Sequence, residues 1–213
     1  MTPTPGLLTL IQWLSPAFPT GGFAFSHGLE WQVAEGGLQG APALQDWLAD
    51  VLRFGAGRQD AILLSLALRP GADPAALDAL ARALAPSAER LAETLDQGTA
   101  FARTVAALTG RDLPARALPV AVGEAARALD LPPAQVIALY LHAFAANLVS
   151  VGTRFLPLGQ TEGQAVLTAL HPLIERLATE AAGADEDDLG SAALGADLAA
   201  MRHETLDVRI FRT

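Results

Sequence analysis

Apolar residues recur along this chain at intervals of three and four, the period of an amphipathic helix rather than a strand. The first stripe is Leu7, Leu8, Leu10, Ile11 and Leu14, stopped by Pro16 and Pro19, because proline cannot continue a helix. Residues 16–25 read as a rigid-then-flexible loop, and Ser26 as the cap of a short helix reaching Gly36. From Ala43 to about Leu68 the stripe runs through Leu44, Trp47, Leu48, Val51 and Leu52 and resumes at Ile62 and Leu66. Gly55 and Gly57 interrupt it, predicting a kink or two helices. Asp73-Pro74 is an N-cap followed by a first helical residue, opening a helix to about Leu84. Ser87 caps the next, with Leu91, Leu95, Ala102 and Val105 on its core face and Gly110 at its end. Pro119 to Asp130 bounds another, and Pro132-Pro133 starts the most apolar helix, Ala134 to about Phe155. Gln164–Ala182 and about Ser191–His203 complete the series, with the acidic loop 184–188 between them. Only the tail, Val208–Phe211, hints at a strand.

The pattern predicts an all-α fold: a single-domain bundle of about eight to ten helices over residues 1–202, followed by a C-terminal docking tail, 203–213, with no regular partner of its own. Chain ends are ordered only where something ties them down. The Ala134–Phe155 run approaches membrane-spanning length. It holds Gln135, His142, Asn147 and Ser150, so a buried central helix is the reading it supports.

Composition then removes whole classes of chemistry. The chain has 213 residues, no cysteine, and a formal net charge of −9 from 14 basic and 23 acidic side chains. Every basic residue is arginine. Without cysteine there is no thiolate metal site, iron–sulfur cluster, cysteine nucleophile or disulfide. Without lysine there is no phosphate-binding loop of the Gly-Lys-Ser/Thr type and no Schiff base. An acidic chain without a basic run is a poor match for nucleic acid or an anionic membrane surface. No basic n-region precedes the first apolar stripe, so a cytoplasmic protein is expected. Charged residues make up 17% and hydrophobic ones 51%, a balance suited to a chain that buries surface against partners as well as in its own core.

Candidate catalytic groups fail on spacing. No two histidines lie three or four apart, and His203-Glu204-Thr205-Leu206-Asp207 lacks the second histidine of a zinc helix. His27 and His203 could still meet across a dimer. Asp185-Glu186-Asp187-Asp188 fails the calcium-loop register, with Leu189 and Ala196 at ligand positions, and no second acidic motif completes a magnesium site. No enzyme, cofactor or resident metal is therefore expected. His142 and Asn147 read as hydrogen-bonded core groups. The rival reading makes them the polar end of a pocket, in a helical small-molecule-binding module or a lyase-like enzyme.

Three segments are unusual for plain loops. Residues 15–30 alternate aromatics with glycines, so Phe18, Phe23 and Phe25 can be presented on a tight backbone as interface anchors. Residues 157–164 offer Gln160 and Gln164, neutral hydrogen-bonding groups between glycines. The tail sets Arg202, Arg209 and Arg212 beside Ile210 and Phe211, a basic, aromatic arm on an acidic protein.

These same segments carry a family resemblance. Leu14-Ser15-Pro16-Ala17-Phe18-Pro19-Thr20-Gly21-Gly22-Phe23-Ala24-Phe25-Ser26-His27-Gly28-Leu29-Glu30 resembles the N-terminal signature of the urease accessory protein UreF family. Ala146-Asn147-Leu148-Val149-Ser150 running into Pro157–Gln164, and the ending His203-Glu204-Thr205 through Arg209-Ile210-Phe211-Arg212-Thr213, match in family order. Gly22, Ile210 and Thr213 depart from the commoner family residues, and residues 70–118 match only as helical pattern.

The resemblance implies an all-helical, dimeric, non-enzymatic chaperone. Its implied partners are a UreD-type accessory protein (UreH in some organisms) and, through that complex, the nickel-carrying UreG-type GTPase. The assembly would deliver nickel to apo-urease, with an influence on GTP hydrolysis. The partner-facing residues it suggests are Phe23, Ser26, His27, Glu30, Gln160, Gln164, His203, Glu204, Arg209, Phe211 and Arg212.

Overall fold

The computed structural model describes residues 5–212; Met1 to Thr4 and Thr213, parts of the two chain ends read above, lie outside them. Among the described residues there are ten α-helices and no strand. They are α1 (Pro5–Trp13), α2 (Leu29–Ala34), α3 (Gly40–Phe54), α4 (Ala56–Leu68), α5 (Pro74–Ala83), α6 (Ala88–Thr109), α7 (Leu118–Ala126), α8 (Pro133–Phe155), α9 (Gln160–Gly183) and α10 (Leu194–His203). Short 3-10 turns at Gly22–Ala24, Arg127–Leu129 and Glu186–Asp188 fill three of the joints.

Most boundaries follow the expected capping chemistry. The Asp73 carboxylate accepts from the Ala75 and Ala76 amides at 2.9 and 3.3 Å, satisfying N–H groups that an α-helix leaves open at its start. Ser87 Oγ accepts from Arg90 N at 3.2 Å, and Gly110 ends α6 in the left-handed conformation. Glu162 reaches back to the Gly159 amide at 2.8 Å, so α9 begins at Gln160, four residues before Gln164, where the apolar pattern places its start. The Gly55 interruption yields two helices rather than one kinked helix.

The most apolar helix is not the most enclosed one. α4 is buried on every side from Gln59 to Ala67, packed among α3, α7, α8 and α9. α8 is long and apolar enough to cross a membrane by length and composition, yet it lies in the bundle with half of that stretch buried. Its other face, including Ala138, His142, Ala146 and Asn147, stays partly exposed. α4 reaches the centre because its small residues permit close approach. A Cβ built at Gly123 of α7 would lie 2.6 Å from Ala67 Cβ and 2.8 Å from the Leu64 carbonyl oxygen. The core that results is carried by Leu44, Leu48, Ile62, Leu63, Leu64, Val120, Ile137 and Leu141, all essentially without solvent contact.

The C-terminal half of α6 buries its expected face, Ala102 and Val105, but its N-terminal half does not. Leu91 and Leu95 are only partly buried, while Arg90, Glu93, Thr94, Gln97 and Phe101 point inward. A polar stripe enters the molecule because its members pair with one another and with the loop that crosses them, leaving Arg90 Nε as the one buried nitrogen of the stripe without a hydrogen bond among the described residues.

Candidate functional site

The loop leaving α1 is shaped by backbone geometry that few residues accept. Gly21 has φ 76° and opens the 3-10 turn; His27 (φ 55°) and Gly28 (φ 75°) then take two successive left-handed conformations. At Gly28 the backbone lies against α10, where an added Cβ would sit 2.6 Å from Ala200 N. Asn147 of α8 donates to the Gly22 carbonyl at 2.9 Å, and Arg212 N donates to the Ala24 carbonyl at 2.7 Å. The loop is pinned from both sides.

That pinning sorts the three phenylalanines. Phe18 is buried with its ring 5.7 Å from Phe101, and Phe25 is buried beneath the Arg212 guanidinium, 5.3 Å from its ring centre. Phe23 alone projects, 64% exposed.

Beneath the loop lies an ion network. His27 stacks edge-on against Phe144 at 4.7 Å, and its Nε2 stands 2.8 Å from Glu93 Oε1 and 3.0 Å from Arg90. Arg90 pairs with Glu93, Gln97 donates to Glu93 at 3.0 Å, and Tyr140 donates to Asp60 at 2.7 Å. Burial and the Arg90 charge lower the pKa of His27 against the pull of Glu93. Burial alone would raise Glu93, but Arg90 and His27 outweigh it and bring its pKa to about 2. Asp60 goes the other way: burial lifts it to about 6, despite Arg90 and the Tyr140 bond. The network borders a cavity of about 340 Å³ that Trp13, Phe23, Phe101, Phe144, Asn147 and Arg154 also line. His142 is not among its walls. It lies instead beside His171 of α9, the two rings 5.5 Å apart, and burial together with His171 lowers its pKa.

The tail folds back on the same region. Glu30 accepts from the Ile210 amide at 2.8 Å and the Phe211 amide at 3.0 Å, and its Oε2 lies 2.9 Å from His203 Nε2. His203 Nδ1 reaches Glu89 at 2.8 Å, and Glu89 also receives Arg209 at 2.8 Å. Phe211 is buried against Phe155, ring centres 5.1 Å apart, with Arg154 over its face. Arg212 meets Asp96 at 2.8 Å. Glu204 accepts from the Ala88 amide at 3.0 Å and the Glu89 amide at 3.4 Å, capping α6 from far along the chain. The tail forms no strand: the Ile210 and Phe211 amides go to the Glu30 carboxylate, and the single backbone bond from Arg212 to Ala24 makes no ladder. It is irregular from Glu204 on; His203 still belongs to α10 and is fully buried.

The suggested partner-facing residues therefore divide. Ser26, His27, Glu30, His203 and Phe211 are buried in this conformation and hold loop, tail and helices together. Ser26 Oγ, for example, accepts from the Glu30 amide at 3.4 Å. Phe23, Glu204, Arg209 and Arg212 are exposed on the face they build. Gln160 and Gln164 are exposed on the first turns of α9, away from the cavity walls. Residues the sequence reading passed over supply the other half of the site: Glu89, Arg90, Glu93, Asp96, Asp60 and Tyr140. The signal was present for α6, where Arg90, Glu93, Thr94, Gln97 and Phe101 keep helical spacing. Among the described residues no group of three or more His, Asp or Glu side chains is arranged to hold a metal ion.

Fold and site thus define an all-helical protein whose charged side chains are spent on holding a loop and an arm in place. Comparison with known proteins agrees. The UreF family model matches residues 38–171. The chain is 70% identical over 207 residues to a urease accessory protein UreF of Cereibacter sphaeroides strain KD131, covering 97% of this chain and 98% of that protein. It is 60% identical over 213 residues to the UreF of Paracoccus denitrificans, covering all of this chain and 99% of its relative. The Roseobacter denitrificans UreF is 52% identical over 211 residues, 99% of this chain and 95% of that protein. The chain belongs to the UreF family of urease accessory proteins. The family model begins after the loop and ends before the tail, while the full-length relatives span both.

Proposed function

We propose that this chain is a non-catalytic cytoplasmic scaffold of urease maturation, acting as a homodimer. In this reading it binds a UreD (UreH)-type protein and, with it, a UreG-type GTPase, and so assists nickel insertion into apo-urease. Family membership supports the maturation role. The observation that carries the scaffold reading is the docked arm: it holds Arg209 and Arg212 with Glu204 around one surface recess and leaves Ile210 exposed, while the loop it pins leaves Phe23 exposed. Ile210 is 75% exposed and Val208 81%, apolar side chains left to solvent beside arginines. Aromatic and arginine anchors on a held backbone suit partner binding, since little conformational entropy remains to be lost. Influence on GTP hydrolysis would act through the GTPase bound at this face. The rival pocket reading is weakened because His142 stands outside the cavity that Asn147 lines.

Co-expression of the tagged chain with the UreD- and UreG-type proteins of its own source tests this. A complex sized by light scattering is expected with the full chain and lost on deleting residues 204–213. A complex that survives the deletion removes the arm from the mechanism. No complex, with both partners soluble, removes the scaffold reading.

A further inference from the structure

α8 and α9 pack along most of their length, and their packing does what the sequence spacing does not: it brings two imidazoles together. His142 is half-buried and His171 exposed, so the pair sits at the surface with one side open to solvent. Their ring centres are 5.5 Å apart and their planes inclined at 44°. Two imidazoles sharing one ion at about 2.0–2.1 Å per nitrogen, with a near-tetrahedral angle between them, have ring centres roughly 5 Å apart. The observed separation is within a small side-chain adjustment of that value. Neither ring makes a hydrogen bond to a carboxylate or a backbone group, in contrast to His27 and His203, whose nitrogens are engaged in the ion networks. His142 lies in the middle of α8, and His171 lies inside α9 just before Pro172, which the helix accommodates without ending, so the pair is positioned by two helices and not by a loop.

We propose that His142 and His171 form a surface site for a borderline divalent transition-metal ion, two imidazole ligands clamping α8 to α9. Imidazole donors select nickel, copper or zinc over magnesium or calcium. The described residues offer no third protein ligand, so the remaining positions fall to water or to another protein. Such a site binds modestly and exchanges readily. It is independent of the arm and the Phe23 loop, and it stands or falls separately from the scaffold reading.

The test uses the full-length untagged chain, stripped with chelator and titrated with Ni(II) by calorimetry in a non-coordinating buffer, with Mg(II) as control. Nickel is expected to bind at one ion per chain, or one per two chains if a second copy fills the open positions, and magnesium not at all. His171→Gln, which alters only an exposed side chain, and His142→Gln are each expected to weaken binding at least tenfold with the helical circular dichroism unchanged. Zn(II), which is diamagnetic, is expected to shift the ring resonances of these two histidines ahead of His27 and His203. Nickel binding that is unaffected by His171→Gln, or absent at millimolar metal, overturns the site.

Discussion

The Glu30 carboxylate joins its own α2 to the far end of the chain, where it meets both the last residue of α10 and the tail. Burial alone would raise its pKa; the His203 contact and the Ile210 and Phe211 amides outweigh burial and hold it below the ordinary value of 4.5. The ionised form is the one the folded state prefers. Its contribution is therefore whole above that ordinary value and fades as pH falls through the lowered one. Amide exchange at Ile210 and Phe211 should stay protected from pH 5 to 7 and lose protection only at a pH below the ordinary 4.5. Glu30→Gln replaces one acceptor with a donor facing an N–H or an imidazole, at a cost of about 2–4 kcal/mol. The cost is confined to the arm, because the arm can let go while the bundle stays folded. The two amides should then exchange at least tenfold faster at pH 7 with little change in melting temperature, and unchanged exchange would remove Glu30 as the anchor. None of this was legible from residue types. Glu30 and His203 were singled out as partner contacts, and what made them interior is an acceptor (Glu89) and two backbone amides that no local pattern relates to them.

At the scale of helices the sequence was a good guide to where elements start and a poorer one to which way they face. Caps at Asp73 and Ser87 and the break at Gly55 are local chemistry and appear as read. The face of α6 is only partly local: Ala102 and Val105 are buried as read, but Leu91 and Leu95 are half-exposed and Arg90, Glu93, Thr94 and Gln97 turn inward instead, because His27 and the cavity lie across from them. Asp60 on α4 belongs to this inner polar cluster. With its pKa raised to about 6, it favours the neutral form. Its contribution to stability is complete below the unfolded value and is lost as pH rises through about 6. Asp60→Asn, which keeps an acceptor for Tyr140, should remove that loss, so its melting temperature should gain on the wild type between pH 5 and pH 8. Parallel profiles would mean that Asp60 is not the group that charges. The α4–α7 contact yields a steric prediction. Gly123→Val has no room between Ala67 and the Leu64 carbonyl, and should cost about 1–3 kcal/mol. A melting point unchanged by that substitution would show that α7 can move off α4.

For the molecule as a whole, a net charge of −9 sets the background against which the arm's arginines act. Arg209 and Arg212 meet Glu89 and Asp96 at the surface, where such pairs contribute little on their own and salt weakens them. Phe211 and Glu30 fix the arm; the arginines orient it. Phe23, held by the pinned loop and exposed, should behave as a binding anchor and not as a stability element. Phe23→Ala should leave the melting temperature within a degree or so and weaken the accessory complex by about 2 kcal/mol, or roughly thirtyfold. A melting temperature that falls while affinity holds would reverse its assignment. The bundle was legible because helical periodicity survives in almost every segment. The site was legible only as a set of odd segments, since the fold decides which of their residues face out.

The arm is tethered to α10 by a handful of residues, and its seat at Ala24–Glu30 is part of the same molecule. A tether that short gives an effective concentration in the millimolar range. An identical arm on another copy, at ordinary protein concentrations, is outcompeted by roughly a hundredfold or more. Each molecule thus keeps its own arm, and exchange of arms between copies is suppressed without any steric guard. A partner that captures the arm must first overcome that same local advantage. The seat therefore sets a floor on how tightly a productive partner has to bind, and weaker passers-by are left holding nothing.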